Sequence, residues 1–154
     1  MNSRVLIASM SLTVGALGSI GGSTAHAGRI TTSAIACQPL NNTTYQQLQY
    51  NPQGVSSYSS TTATPSVSCP IARDGVATTV TIAGRINAGI TMDCSLYVQS
   101  STGTFLTGRN FSLTSAAPSV SLGLAGVVTE TDVLAVFCTL PSAASAALVS
   151  FSTF

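Results

Sequence analysis

The chain has 154 residues and a formal net charge of +1, with only 6% charged residues, one histidine, and no lysine or tryptophan. So few charges exclude the basic surface that nucleic-acid binding requires. The one histidine, His26, falls in a segment that we expect to be removed, so histidine-based triads and histidine metal sites are excluded. The lack of lysine excludes lysine nucleophiles.

Residues 1–27 predict a removable export signal. Arg4 precedes an apolar stretch over residues 5–20, and the small residues around His26 form a cleavage site after Ala27. Glycines within the stretch and the lack of a basic flank disfavour the alternative, a transmembrane helix. We therefore expect a secreted bacterial protein, extracellular or periplasmic, whose mature part, residues 28–154, is one domain without a transmembrane segment. Its four arginines and four carboxylates then balance, and so neutral a surface favours association.

The four cysteines predict two disulfides in an exported chain of this size. Of three possible pairings we favour Cys37–Cys69 and Cys94–Cys138, because the second pair falls on the inward faces of two strongly patterned strands. Lipidation of Cys37 is an alternative, but it would leave an odd thiol. Gaps of 32, 25 and 44 positions between the cysteines do not fit the paired thiolates of a zinc site, so we expect no metal and no cofactor.

Strand patterns dominate after the signal. Residues 28–65 are polar and predict one or two edge strands joined by a loose loop. Residues 76–83 and 90–99 alternate with period two, and the loop between them predicts that they pair as an antiparallel hairpin. Residues 105–114 continue the pattern, with an interruption at 108–110 that suits a bulge or a turn.

The C-terminal part predicts three more strands. Residues 120–124 form a short alternating strand, and residues 133–140 are apolar on both sides, as in a strand buried on both faces. Residues 147–154 predict a last strand, with a helical turn over 143–147 as an alternative. Short strands separated by glycine and proline indicate an all-β fold, a disulfide-linked antiparallel β-sandwich of Greek-key or jelly-roll kind.

The carboxylates are the remaining candidates for catalysis. A glycoside hydrolase needs two of them, and the chain offers Asp74, Asp93, Glu130 and Asp132. Each is expected to be a solvated group or an arginine partner, since no tryptophan is present to stack on a sugar. Glu130 and Asp132 are also too few for a calcium shell. We therefore expect no catalytic residue and a protein that is not an enzyme.

Tyrosines in the N-terminal third are the candidate binding residues. Tyr45, Tyr50 and Tyr58 lie among glutamines and asparagines, whose uncharged hydrogen-bonding groups suit a neutral glycan or protein surface. Half-buried packing residues are the alternative.

We expect a non-catalytic structural, cell-surface or extracellular protein that can self-associate. A carbohydrate- or protein-binding module that uses the tyrosine face is the alternative, and a small carboxylate-dependent glycoside hydrolase is the third hypothesis.

Overall fold

The computed structural model describes residues 29–41, 46–58, 60, 62–73 and 75–154, and these form an antiparallel β-sandwich. The predicted fold class is confirmed, whereas the predicted export signal lies outside the described residues. The first sheet has six strands: β1 (Ile30–Ser33), β3 (Leu48–Asn51), β4 (Gly54–Ser57), β6 (Thr79–Ile86), β9 (Ser119–Gly123) and β11 (Ala146–Thr153). The second has five: β2 (Gln38–Pro39), β5 (Ser66–Ile71), β7 (Thr91–Gln99), β8 (Phe105–Thr114) and β10 (Val133–Thr139).

The strand order places the end of the chain at the centre of the first sheet. That sheet runs β3-β4-β11-β6-β9, and β1 also pairs with β11. The second sheet runs β2-β5-β10-β7-β8. Within the described strands, β3–β4 and β7–β8 are hairpins and every other connection crosses between the sheets. The fold therefore depends on contacts between distant parts of the sequence.

The core lies between the two sheets and follows the period-two alternation of the strands. On β7, alternate residues from Met92 to Val98 are buried, while their neighbours face outward. Strands β6 and β11 supply the opposite layer. Full burial of each such apolar side chain stabilises the fold by roughly 1.5–3 kcal/mol. The largest members of this layer and its counterpart are Ile82, Met92, Leu96, Leu113, Leu134, Leu148 and Phe151.

Two disulfides join neighbouring segments of the second sheet. Cys94 and Cys138 lie directly opposite each other on β7 and β10, with their Cα atoms 4.1 Å apart. Cys37 follows a short 3-10 turn (Ala34–Ala36) and is bonded to Cys69 on β5. The structure thus contains the pairing that the strand pattern favours. All four cysteines are buried, so the bridges are part of the core.

The hairpin predicted from residues 76–83 and 90–99 is wrong. Strand β6 pairs with β11 and β9 in the first sheet, whereas β7 pairs with β10 and β8 in the second. The intervening turn, in which the Ile90 amide donates to the Asn87 carbonyl oxygen at 3.2 Å, passes from one sheet to the other. Alternation shows which side chains face the core, and it is the same for strands that pair and for strands that face each other across the core.

Strand β10 is buried on one face only, although its sequence predicts burial on both. Leu134, Val136 and Cys138 are buried, whereas Val133 is 50% exposed and Phe137 is half-buried. No described element covers the outer face of the second sheet. The second apolar side of β10 is therefore surface.

Two irregular regions also differ from the predictions. Strand β8 runs without a break through residues 108–110, and its register shift occurs beside Leu106 instead. Residues 143–147 form a turn and the start of β11, not a helical turn, with positive φ angles at Ala143 and Ala144. The buried Ser57 hydroxyl holds this turn, because it accepts from the Ala144 amide at 3.0 Å and donates to the carbonyl oxygen of Pro141 at 2.5 Å.

Candidate binding face

The outer face of the second sheet carries three aromatic side chains in contact, which we call the aromatic strip: Tyr97 on β7, Phe105 on β8 and Phe137 on β10. The Tyr97 ring centroid lies 5.6 Å from that of Phe105 and 5.0 Å from that of Phe137, in edge-to-face geometry. Phe105 is 56% exposed. Edge-to-face contacts between rings are worth about 0.5–1.5 kcal/mol each, so the rings fix one another's orientation.

Strand register produces this strip. Tyr97 lies opposite Gly108 on one side and opposite Ala135 on the other. Because both neighbours are small, the Tyr97 ring reaches Phe137 diagonally, at a distance that long side chains can span. A Cβ at Gly108 would lie 3.3 Å from the Phe105 ring. The Phe105 ring therefore packs over Gly108, where no side chain obstructs it.

A polar groove lies beside the strip on the same face. One cross-strand row is formed by Ser112, Asp93, Thr139 and Ser66, on β8, β7, β10 and β5. A second row, two residues along, places Asn110, Ser95 and Phe137 side by side. The groove has a volume of about 500 Å³ and is lined by Leu40, Ser66, Asp93, Cys94, Ser95, Asn110, Phe111, Ser112, Phe137, Cys138 and Thr139.

Hydrogen bonds within the groove hold its polar side chains in place. The Ser112 hydroxyl donates to Asp93 Oδ1 at 2.7 Å, and the Ser95 hydroxyl donates to Asn110 Oδ1 at 2.7 Å. Among the described residues, these bonds leave Asp93 Oδ2 free to accept and the Asn110 amide nitrogen free to donate. The groove therefore presents an acceptor and a donor on successive rows of the same face.

The groove carries almost no charge. Asp93 is exposed and is the one charged side chain among the described residues that line the groove. Arg109 belongs to β8 but lies opposite the buried Leu96, and so on the inner side of the sheet. The surface is suited to uncharged, hydroxyl-bearing groups.

The tyrosines predicted as a binding face lie elsewhere, and two of the three can be placed. Tyr50 on β3 and Tyr58 just after β4 line a second depression of about 490 Å³ together with Gln46 and Leu48. Tyr58 is 44% exposed, whereas the Tyr50 hydroxyl donates to the carbonyl oxygen of Cys37 at 3.1 Å and its ring packs on the core. Tyr45 lies outside the described residues.

Of the carboxylates considered for catalysis, Asp93 and Asp132 lie far apart along the second sheet. Asp93 lies opposite Thr139, whereas Asp132 immediately precedes Val133, at the far end of β10. The six steps from Val133 to Thr139 span about 20 Å of strand, well beyond the roughly 5–10 Å between the carboxylates of a glycosidase.

Asp132 and Glu130 belong to the loop before β10. Asp132 is buried and accepts from the Thr129 amide at 2.7 Å, so its role is to hold the loop before β10. Arg73 donates to the Asp132 and Thr129 carbonyl oxygens of the same loop. Glu130 is exposed in that loop, and Asp74 lies outside the described residues. In the described ranges no three His, Cys, Asp or Glu side chains are grouped as metal ligands would be.

The sequence contained a usable signal for the aromatic strip. Tyr97 and Phe137 occupy positions of opposite parity to Cys94 and Cys138 on their strands. Because the bonded cysteines face the core, alternation places both rings outside. Phe105 carried no such signal, since its contact with Tyr97 depends on the β7–β8 register.

Comparison with known proteins identifies no family. No family model matches the chain, and no curated protein matches it. Among solved structures, the chain is similar to the catalytic unit of a thermostable GH87 alpha-1,3-glucanase from Streptomyces thermodiastaticus strain HF3-3, with 13% sequence identity and a TM-score of 0.47. The match covers 81% of this chain and 25% of that one, so this chain spans about a quarter of the glucanase unit. A likeness of this degree carries no inference about activity.

Two findings bear on location. Paired cysteines are typical of proteins that fold in an oxidising compartment. Over the part of the chain that the structure describes, no helix has the length and hydrophobicity of a membrane span.

Proposed function

We propose that the chain is a secreted, non-catalytic protein of the cell surface or extracellular space, and that it acts by binding through the outer face of the second sheet. The aromatic strip is the observation that supports this proposal. Three contacting rings lie outside the core, and the most exposed of them, Phe105, leaves 56% of its surface in solvent. Aromatic side chains grouped on a surface are typical of binding sites.

The opposite face of the sandwich provides a contrast. The outer face of the first sheet bears a row of hydroxyls, in which Thr81 contacts Ser121 at 2.8 Å and Thr31 contacts Ser152 at 3.1 Å. Thr81 and Ser152 are themselves a cross-strand pair. These hydroxyls pair with one another, and Arg29, which donates to Ser152 Oγ at 3.4 Å and lies 5.1 Å from the Phe154 ring centroid, is engaged at the end of the row. This difference between the outer faces of the two sheets favours the outer face of the second sheet as the binding surface.

Residue chemistry supports a non-catalytic role. The groove beside the aromatic strip contains one carboxylate, Asp93, and no second acid or base among its described lining residues. Histidine and lysine are absent from the sequence after His26. General acid–base catalysis needs a proton donor and acceptor in reach of one substrate, and a lone carboxylate does not supply both.

Fractionation of cells that express an epitope-tagged full chain tests the proposal. We expect the wild-type protein at the cell surface or in the extracellular matrix, and a Tyr97→Ser/Phe105→Ser variant released into the medium. Val76→Ser is the matched control, because Val76 is 42% exposed but lies outside the face. Similar thermal unfolding of all three proteins would show that they are folded. Retention in the cytoplasm, or equal partitioning of the two variants, would contradict the proposal.

Self-association is a second candidate function, and the edge of the second sheet favours it. Within the described strands β8 pairs with β7 alone, and its first residues, Phe105 and Leu106, are 56% and 47% exposed. A free edge strand can template pairing with a second copy. We expect sedimentation velocity to show concentration-dependent association that Leu106→Lys reduces and Val76→Ser does not. A monomer at every concentration would exclude this candidate.

A further inference from the structure

We infer that the polar groove binds a neutral hexose unit of an extracellular glycan, an inference that rests on the function proposed for this face. The groove volume of about 500 Å³ lies within the roughly 300–1,000 Å³ of small-molecule sites. Five of its eleven lining residues carry a hydroxyl or an amide, and Leu40, Phe111 and Phe137 add apolar surface. This combination matches a sugar, which has hydroxyls around its rim and C–H bonds on its faces.

The free acceptor and the free donor are spaced for two separated hydroxyl groups of one sugar unit. Ser112 occupies Asp93 Oδ1, so Oδ2 accepts from a ligand hydroxyl. Ser95 occupies Asn110 Oδ1, so the Asn110 amide nitrogen donates to the next hydroxyl. The two rows that carry these groups are two residues, or about 7 Å, apart along the strands. One ligand can therefore donate to the carboxylate and accept from the amide at the same time.

The ring of Phe137 supplies the apolar surface in the same groove. The face of an aromatic ring carries negative potential, and the C–H bonds of a pyranose are polarised positive by their oxygens. A sugar face therefore packs on the ring while its rim meets Asp93 and Asn110. Tyr97, 5.0 Å from Phe137 between ring centroids, is a positioning residue that fixes the Phe137 ring.

Charge and polarity argue against anionic ligands and against wholly apolar peptides. No described lining residue is a cation, and the Asp93 carboxylate would repel phosphate, sulfate or uronic acid groups. A wholly apolar peptide would leave the carboxylate and the amide without partners, which costs more than its contact with one ring returns. A neutral hexose satisfies both kinds of group.

The test measures binding of purified, exported protein to neutral tetrasaccharides of glucose, mannose and galactose, with tetragalacturonate as the anionic comparison. We expect isothermal titration calorimetry to detect at least one neutral tetrasaccharide and to find weaker binding of tetragalacturonate. Asp93→Ala and Phe137→Leu should each lower the affinity about tenfold or more. Tyr58→Ser, in the other depression, should leave it unchanged. Affinity should change little between about 50 and 500 mM salt, since the ligand is uncharged.

Several results would overturn the inference. Binding that Tyr58→Ser abolishes and Asp93→Ala spares would move the site to the other depression. Binding of tetragalacturonate alone, or of no tetrasaccharide at all, would exclude a neutral hexose. In that last case, release of Tyr97→Ser/Phe105→Ser from cells would leave the proposed function standing with another ligand. Conversely, hexose binding that depends on Asp93 would support the sugar site in the groove. If the Tyr97→Ser/Phe105→Ser variant then stayed at the cell surface like the wild type, the role proposed for the aromatic strip would be contradicted.

Discussion

Replacing Gly54 with alanine would test how the β3–β4 hairpin is attached to the sandwich. Gly54 has a φ of +128°, which side-chain-bearing residues rarely adopt, and a Cβ there would lie 1.9 Å from the carbonyl oxygen of Leu148. That oxygen belongs to the backbone of β11, so it cannot rotate away. Real Cβ contacts are essentially never below 3.0 Å, so β4 must move from β11 by about 1 Å.

The expected loss of stability follows from these contacts. The strained φ costs about 1–3 kcal/mol. Movement of β4 also weakens its attachment to β11, which is limited to the pairs Val55–Leu148 and Ser56–Ala147, at about 1 kcal/mol for each hydrogen bond lost. We therefore expect Gly54→Ala to lower the free energy of unfolding by about 3–5 kcal/mol, a large share of the roughly 5–15 kcal/mol of a typical domain.

Gly103 and Gly123 are control positions that distinguish the cost of a positive φ from the cost of a steric clash. Gly103 has a φ of +81° with open space around it, so Gly103→Ala should cost about 1 kcal/mol. Gly123 has neither a positive φ nor a close neighbour, so Gly123→Ala should be neutral or slightly stabilising. Urea unfolding followed by far-UV circular dichroism gives all three values. A Gly54→Ala variant within about 1 kcal/mol of Gly103→Ala would refute the steric argument.

Three further predictions concern the disulfides, the loop before β10 and the core. Removing the β7–β10 bridge with Cys94→Ala/Cys138→Ala should lower the free energy of unfolding, measured in urea, by about 4 kcal/mol, because the bridge joins residues 44 apart in sequence. Removing the Cys37–Cys69 bridge, with a separation of 32, should lower it by about 3.7 kcal/mol. A loss below about 1 kcal/mol for either bridge would contradict this prediction. Asp132→Ala should cost about 1–3 kcal/mol because the Thr129 amide loses its acceptor, whereas the exposed Glu130→Gln should have no effect on the same urea midpoint. Phe151→Ala should cost about 3–5 kcal/mol, measured by thermal unfolding, since Phe151 is fully buried; a change in melting temperature as small as that of Glu130→Gln would argue against the assigned core.

The sequence predicted the faces of the strands better than their partners. Alternation on β7 identified Met92, Cys94 and Leu96 as core residues, because a strand half-buried in a sandwich must place every second side chain inside. The same rule supports the cysteine pairing found in the structure. It does not say which sheet a strand joins, and for this reason the pairing expected between β6 and β7 was wrong. The central position of β11 depends on partners more than 60 residues away in sequence, such as Ile82 opposite Phe151.

The candidate site shows the same limit. Tyr45, Tyr50 and Tyr58 are predicted as a binding face from their closeness in sequence and their Gln/Asn-rich surroundings, and this stays a prediction. The groove and the strip combine residues from β5, β7, β8 and β10, and Asp93 meets Thr139 only after β7 and β10 pair. The residue types of the groove and the strip can be read from the sequence. Which of these residues become neighbours depends on the strand register, which alternation does not determine.

The Cys94–Cys138 bridge lies directly beneath the groove. Both cysteines line its floor, and their sequence neighbours Asp93 and Thr139 stand in its first row. The bond therefore fixes the spacing of β7 and β10, which would otherwise depend on backbone hydrogen bonds alone. A binding surface that is rigid before it meets its ligand loses less entropy on binding. For the binding proposed at this groove, formation of the Cys94–Cys138 bond is therefore a maturation step for recognition as well as for folding. A reduced chain would lack this covalent link between β7 and β10, and we expect it to bind the proposed ligand more weakly than the oxidised chain.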